Sequence, residues 1–278
     1  MSNYIIYFQS KGINNAYLNH FARKVVGIAV CPFNEYIDKE IPHLSIGYKH
    51  SNVDKKWPKI FRYLLRYIEG VFVHLHCLRK LALAPKGTIY WSLFYFLWFE
   101  KLTIYLLSKW GFQIVLVVHD FNQEMFNEIN SRTGINHTKS KILKFYQQFN
   151  CVAHTNKLTK QLISLGVSTN YFPFPPMEFK TLLKVERDID FLLIGTYRKS
   201  KNFESALDKI LSVSPESTIY CCSYGLPEEF LKSYSGKICV ENRFLSDLEM
   251  MEYLSRTNYV VLPYRIDRQS VPETSAQA

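Results

Sequence analysis

The stretch Phe191–Asn202 (FLLIGTYRKSKN) sets the fold class, because it joins an apolar strand to a helix through a glycine and three cations. After it, Phe203, Leu207 and Ile210 recur at helical spacing. A repeated strand–helix order with apolar strands is typical of a parallel sheet that helices cover on both faces. The second half is therefore predicted to be a doubly wound α/β domain, with strands at Ile189–Ile194, Thr218–Cys222, Lys237–Val240 and Tyr259–Leu262.

The first half shows the same alternation less regularly. A proline-rich segment, Tyr171–Met177 (YFPFPPM), suits a stiff linker between two domains. We predict an N-terminal Rossmann-like domain at 1–172, a linker at 173–180 and a second domain at 181–278. The predicted strands of the first domain are Tyr4–Phe8, Val25–Val30, Thr88–Ser92, Gln113–His119 and Cys151–His154, and its clearest helices are Lys139–Phe149 and Lys157–Leu165.

Composition narrows the class of protein. Of the 278 residues, 47% are hydrophobic and 21% are charged, which excludes disordered and collagen-like chains. The longest apolar run, Leu93–Phe99, is too short to span a bilayer, and the amino terminus lacks the basic segment of a secretory signal, so we expect a cytoplasmic protein. A net charge of +10 favours anionic partners. The six scattered cysteines are predicted to be reduced core residues.

The clearest candidate for ligand binding is the turn after the strand that ends at Ile194. Ligands of open α/β sheets bind at the carboxyl ends of strands, where a helix amino terminus attracts anions. Gly195, Arg198 and Lys201 are therefore candidates for holding a diphosphate. The alternative is an ordinary solvated basic turn. The glycine pattern of dinucleotide-binding proteins, G-x-G-x-x-G, does not occur in the sequence.

A second candidate follows the strand Ile114–Val118, where His119 and Asp120 come directly after it. Such a histidine can hydrogen-bond a sugar hydroxyl or transfer a proton near neutral pH. Alternatively, it closes the strand by bonding backbone. His74 and His76, which we assign to one face of a strand, lack a third ligand and do not make a metal site.

The segment Lys55–Ile68 (KKWPKIFRYLLRYI) is predicted to be a basic amphipathic helix with Pro58 in its first turn. Its apolar side would carry Trp57, Phe61, Leu64 and Ile68. Such a helix can lie in an anionic membrane surface. The alternative is a surface helix whose apolar side packs on the sheet.

Several segments in chain order resemble GT-B glycosyltransferases, in particular the family-four-like enzymes of bacterial polysaccharide assembly. IVLVVHD resembles the family's segment ending in His-Asn or His-Asp, CVAHTNKLTKQLISLGV resembles its next strand and helix, and the proline-rich linker resembles its hinge. GTYRKSKN is similar to the family's Gly-x-x-Arg-x-x-Lys-Gly segment, with Asn202 in place of the last glycine. YVVLPYRIDRQS resembles the segment that leads into the donor-binding loop.

The resemblance implies roles for particular residues. His119 and Asp120 would be catalytic, and Arg198, Lys201 and Gly195 would bind the donor diphosphate. Glu241 and Glu249 have the spacing of the family's paired glutamates, but one ends a strand and the other begins a helix, so we interpret the spacing as coincidence. The loop for the donor sugar and nucleotide would contain Phe244, Asp267, Gln269 and Ser270, and the N-terminal loop would contain Gly12.

The resemblance also implies an activity. We expect a hexosyl- or glycosyltransferase that retains configuration, needs no metal and no cofactor, and takes a nucleotide-sugar as co-substrate. The acceptor would be a saccharide or a lipid-linked saccharide, at the cytoplasmic face of the inner membrane. Because the family's pattern continues beyond the segment VPETSAQA, we expect an incomplete second domain and weak activity. Alternatives are an inactive remnant of such an enzyme or a basic module that binds nucleotides or nucleic acid, although no nucleic-acid reader motif is present.

Overall fold

The computed structural model describes residues 2–8, 13–31, 37, 39–46, 58–92, 97–119, 121, 126–127, 130, 138–173, 185–195, 197, 201–243, 245 and 247–263. The chain divides into two compact units, Met1–Met177 and Glu178–Ala278. Each unit has its own sheet, in which every described pair of strands is parallel.

The first unit alternates apolar strands with amphipathic helices. Thr138 and Thr155 cap two of these helices, since their side-chain oxygens accept bonds from backbone N–H groups three residues later. The strands are β1 (Ser2–Ile6), β2 (Gly27–Cys31), β3 (His43–Ser45), β4 (Gly87–Ser92), β5 (Gln113–Val118), β6 (Asn150–Ala153) and β7 (Thr169–Tyr171). The described helices are α1 (Ile13–Val25), α2 (Lys59–Ala82), α3 (Trp98–Lys109), α4 (Lys139–Tyr146) and α5 (Asn156–Ser164).

The strand order of the first sheet is β3-β2-β1-β4-β5-β6-β7. Because all these strands are parallel, their carboxyl ends lie along one edge. The order reverses between β1 and β4, and this switch point is where open α/β sheets leave a crevice for ligands. The register sets Ile6 of β1 beside Val30 of β2 and Trp91 of β4.

The first sheet has a hydrophobic core on each face. Successive residues of β1 and the residue that follows it point to opposite faces, so that Tyr4 and Ile6 join one core while Ile5 and Tyr7 join the other. Trp91 is fully buried in the first of these cores. Coverage of both faces explains why the strands are continuously apolar and do not alternate with polar residues.

The second unit repeats this plan on a smaller scale. The strand order is β10-β9-β8-β11, so the order again reverses beside the first strand of the unit, between β8 and β11. The strands are β8 (Ile189–Ile194), β9 (Ile219–Cys222), β10 (Cys239–Glu241) and β11 (Thr257–Val261), and the described helices are α6 (Phe203–Val213), α7 (Glu228–Ser233) and α8 (Asp247–Ser255).

The predicted fold class, parallel α/β in both halves, is confirmed, but three local predictions in the first unit are wrong. Val25 belongs to α1, and β2 begins only at Gly27 after Val26 turns the chain with a φ of 48°. His74 and His76 lie on α2 and not on a strand. That helix begins after Pro58 and extends to Ala82, well beyond the predicted end at Ile68.

Of the two interpretations of the predicted amphipathic helix, the structure contradicts packing of its apolar side on the sheet, since Phe61, Leu64 and Ile68 are all exposed. Tyr171, which we assigned to the linker segment, ends strand β7. Of the six cysteines, five are buried and free as predicted, whereas Cys239 is free but exposed. The predicted linker lies outside the described residues from residue 174 onward.

Candidate functional site

Polar side chains meet at the carboxyl ends of three neighbouring strands in the first unit. Ser92 ends β4, His119 follows β5 and His154 follows β6. Since β4, β5 and β6 are adjacent and parallel, residues at their carboxyl ends lie side by side. We call these three residues the histidine cluster.

Direct contacts hold the histidine cluster together. Nε2 of His119 lies 3.0 Å from Oγ of Ser92, within hydrogen-bonding distance. The imidazole rings of His119 and His154 lie 5.3 Å apart, centroid to centroid. Nδ1 of His154 donates to the backbone oxygen of Phe172 at 2.9 Å, because a carbonyl can only accept. In neutral His154 this bond leaves Nε2 as the nitrogen without a proton.

Both imidazoles are held in the neutral form. Removal from water, and secondarily the nearby His154, lower the pKa of His119 to about 3. The pKa of His154 is also lowered by burial, although its bond to the Phe172 carbonyl acts in the opposite direction. At neutral pH both rings therefore lack positive charge, and each carries one N–H donor and one acceptor nitrogen. This arrangement suits hydrogen bonding to hydroxyl groups better than it suits proton donation.

The second unit brings a cation to the end of its first strand. Gly195 follows β8 with a φ of 121°, a conformation that L residues rarely adopt. Nζ of Lys201 lies 2.9 Å from where a Cβ on Gly195 would be, so the ammonium occupies space that only a glycine leaves open. This contact sets a positive charge at the switch point between β8 and β11.

Backbone hydrogen bonds fix the segment that carries Lys201. The N–H of Gly195 donates to the oxygen of Cys222 at 3.2 Å, and the N–H of Asn202 donates to the oxygen of Pro263 at 2.7 Å. Asn202 immediately precedes α6, so the amino terminus of that helix is tied to the chain following β11. A helix amino terminus beside a lysine favours a bound anion. We call Gly195, Lys201 and the start of α6 the basic turn.

Near the basic turn, Ser223 follows β9, the strand adjacent to β8. Its side chain is buried, and among the described residues its Oγ has no hydrogen-bond partner. A buried hydroxyl without a partner is unusual, because it loses its bonds to water without replacing them. It is a further polar group at the carboxyl edge of the second sheet.

Glu241 and Glu249, which share the spacing of the family's paired glutamates, are bridged by Arg243. The guanidinium lies 3.0 Å from the carboxylate of Glu241 and 2.8 Å from that of Glu249. Tyr253 also donates to Glu241 at 3.3 Å. These contacts give both carboxylates structural partners, which agrees with the interpretation of their spacing as coincidence.

The structure describes three of the residues selected from the sequence, His119, Gly195 and Lys201, and it brings the last two together. Ser92, His154 and Ser223 are not among the residues selected from the sequence. A simple rule, to inspect the polar residue at the carboxyl end of every predicted strand, would have found them. The remaining selected residues lie outside the described part of the chain: Gly12, Asp120, Arg198, Phe244, Asp267, Gln269 and Ser270.

No group of three or more His, Cys, Asp or Glu side chains in the described part of the chain is arranged to hold a metal ion. None of the described helices is both long and apolar enough to cross a bilayer.

No protein-family model matches this sequence, and no curated protein matches it either. Solved structures do resemble it. An α,α-trehalose-phosphate synthase (UDP-forming) from Burkholderia vietnamiensis is 11% identical with a TM-score of 0.55, and the match covers 93% of this chain and 76% of that one. LpCGTa, solved in complex with UDP, is 11% identical with a TM-score of 0.53, covering 94% and 73%. A UDP-N-acetylglucosamine 2-epimerase from Rickettsia bellii is 14% identical with a TM-score of 0.52, covering 94% and 73%.

These likenesses extend over nearly the whole chain, and they show that it has the two-sheet α/β fold of the GT-B class. At such low identity they show the fold alone. The names of the similar proteins include both a synthase that forms UDP and an epimerase, so one fold carries more than one reaction. The activity has to be argued from the residues of this chain.

Proposed function

We propose that this chain is a glycosyltransferase that moves a sugar from a nucleotide-activated donor to a saccharide acceptor. The observation that carries the proposal is the basic turn, where the Lys201 ammonium packs against Gly195 at the amino terminus of α6. A diphosphate is one of the anions that such a combination of cation and helix terminus binds. The fold is shared with LpCGTa, whose structure contains UDP, and this supports a nucleotide-sugar as the donor.

In this proposal the second unit binds the donor and the first unit presents the acceptor. As the bond to the sugar breaks, negative charge grows on the departing diphosphate, and Lys201 together with Arg198 neutralises it. The neutral His119 hydrogen-bonds a sugar hydroxyl and does not supply a proton, since its pKa lies near 3. Retention of configuration and independence from metals belong to the proposal through the family resemblance.

The proposal also includes the acceptor and the place in the cell where the reaction occurs. A role in polysaccharide assembly, with a lipid-linked saccharide as acceptor, would bring the reaction to the cytoplasmic face of a membrane. The excess of ten positive charges agrees with two anionic partners, the donor diphosphate and an anionic lipid surface.

The first test is binding of UDP-, GDP- and ADP-sugars to the purified chain, measured by calorimetry. At least one donor should bind, and Lys201→Ala and Arg198→Ala should each weaken it by roughly 1 to 3 kcal/mol, the range for a charge-assisted hydrogen bond. Lys209→Ala is the matched control, since it removes the same charge from an exposed position of α6. Equal affinity of all variants would remove Lys201 and Arg198 from the site.

Product analysis then distinguishes the candidate reactions. Release of the nucleoside diphosphate with a sugar added to an acceptor supports transfer. Conversion of the donor sugar into its epimer, without an acceptor, would assign the reaction named for the Rickettsia bellii neighbour. Failure to bind any of the donors would favour an inactive remnant.

A further inference from the structure

Helix α2 presents an apolar stripe to solvent. Six of its large hydrophobic side chains are between 44% and 74% exposed, and their spacing of three, four and seven residues aligns them along one face. The opposite face of the same helix packs on the sheet through Val73, Cys77 and Leu81. The exposed residues are Ile60, Phe61, Leu64, Ile68, Phe72 and Leu75.

Helix α3 extends this stripe sideways. Trp98, Leu102 and Tyr105 are exposed and lie three or four residues apart on one face. The two helices touch at this border, because Nε1 of Trp98 donates to the hydroxyl of Tyr67 on α2. Large contiguous apolar patches are uncommon on proteins that work alone in water, and they mark surfaces that contact a protein or a membrane. We call the exposed residues of α2 and α3 the apolar platform.

The exposed charges that the structure describes on α2 and α3 have one sign. The only carboxylates in the two helices are Glu69 and Glu100, and both are 4% exposed. Their cations, in contrast, include the exposed Arg79, Lys80 and Lys109, and Nζ of Lys109 lies 5.4 Å from the centre of the Tyr105 ring. The two helices contribute seven cations in sequence: Lys59, Arg62, Arg66, Arg79, Lys80, Lys101 and Lys109.

A cleft of about 640 Å³ opens at the carboxyl-terminal end of α2. Arg79, which continues the apolar stripe four residues after Leu75, lines it together with Lys80, and Tyr4 and Leu44 of the sheet line it as well. The cleft therefore sets cations beside apolar surface at one end of the apolar platform. A phospholipid is complementary to this arrangement, because it joins an anionic phosphate to hydrocarbon.

We propose that the apolar platform docks on the surface of a membrane that contains anionic phospholipid. The exposed Ile, Leu and Phe side chains enter the interfacial region, Trp98 and Tyr105 lie at the headgroup level, and the surrounding cations meet the lipid phosphates. The positive charge of the two helices favours a membrane over a second copy of the chain as the partner of the apolar platform. Two copies joined by this face would bring the exposed Arg79, Lys80 and Lys109 of each copy together without an exposed carboxylate on any of the four helices, whereas an anionic bilayer complements these cations.

The test is co-sedimentation of the full chain with vesicles of phosphatidylcholine, alone or mixed with phosphatidylglycerol. The chain should bind the mixed vesicles, and added salt should weaken the binding because it screens the lipid charge. The variant Leu64→Glu/Ile68→Glu should lower the partition coefficient by at least about tenfold, since it removes two apolar side chains from the contact. Ile163→Glu/Val213→Glu is the matched control, because it makes the same change at exposed apolar positions of α5 and α6.

Three outcomes would overturn the proposal. These are no binding to the mixed vesicles, equal loss in the control variant, and a concentration-dependent dimer that only Leu64→Glu/Ile68→Glu dissolves. Trp98 gives a second readout, since its emission should shift to shorter wavelength on binding and Trp98→Phe should remove that shift. Thermal unfolding of each variant verifies that it is folded. None of these measurements uses transferase activity, so their result is independent of the proposed reaction.

Discussion

Replacement of Gly195 by alanine tests the basic turn most directly, because it should damage stability and ligand binding through two separable causes. The first cause is the backbone. Gly195 has a φ of 121°, and a residue with a Cβ in such a region costs about 1 to 3 kcal/mol of folding free energy. Gly195→Ala should therefore lower the free energy of unfolding by that amount in urea denaturation.

The second cause is the contact with Lys201. An added Cβ would lie 2.9 Å from Nζ, closer than real contacts of a Cβ allow, and the ammonium is the end of a flexible chain that can move away. When the ammonium moves away, a bound diphosphate loses its cation. If the displaced bond is charge-assisted and worth about 1 to 3 kcal/mol, donor affinity falls by about 5- to 150-fold.

Gly236→Ala separates the two causes. Gly236 lies in the same unit with a φ of 72°, and no described atom lies within 4 Å of the position of its Cβ. This control should lower stability while leaving donor affinity, measured by calorimetry, unchanged. In a Lys201→Ala background, Gly195→Ala should cause no further loss of affinity, because the cation is already gone. A full additional loss in that background would refute the argument that Gly195 acts through Lys201.

Three other substitutions test the remaining polar groups. His119→Ala should lower kcat more than donor affinity in steady-state kinetics, since its hydrogen bond matters most as the sugar departs, and a loss of affinity alone would make it a binding residue. Burial lowers the pKa of His74 from 6.5 to about 4, so its neutral form stabilises the fold fully above pH 6.5. This stabilisation amounts to about 3 kcal/mol, and it is lost as the pH falls from 6.5 towards 4. His74→Leu should flatten that part of the pH dependence of unfolding, and an unchanged slope would contradict the assignment. Ser223→Ala should leave stability unchanged or slightly higher, because its buried Oγ has no described partner; a loss above about 1 kcal/mol would reveal a bond that the structure does not show.

The second unit was the easier half to predict from the sequence. Strand β8 has the predicted bounds, Ile189–Ile194, and the other predicted strands of that unit overlap the observed ones. Its strands are short apolar runs, and glycines or polar turns separate them from helices of clear period. The local sequence was therefore sufficient to predict nearly all the strands and helices of the second unit.

Helix α2 shows why the first unit was harder. Around His74 and His76 the sequence alternates polar and apolar residues, which over a few residues is the pattern of a strand. Over the 24 residues of the helix, the buried Val73, Cys77 and Leu81 recur every four residues, which is a helical period. The short window and the long window gave opposite answers, and only the long one agrees with the packing.

The histidine cluster depends on information that no local window contains. The position of His119 after an apolar strand predicts that it lies at the carboxyl edge of a sheet. Its partners, Ser92 and His154, lie 27 and 35 residues away in the chain, and they become neighbours only because β4 and β6 flank β5. The lowered pKa of His119 likewise follows from desolvation by the assembled unit, so a sequence argument could not decide between hydrogen bonding and proton transfer.

The exposure of the apolar platform is a further feature that the sequence pattern does not predict. In most amphipathic helices the apolar face serves the core, so a sequence argument places Leu64 and Ile68 inside. In this protein the core side of α2 is supplied by other residues, and the exposed stripe contributes little to folding because its side chains remain largely in water. Polar residues at these positions would cost the fold little and would improve solubility. The apolar character of the stripe is therefore not explained by folding, and contact with another surface explains it.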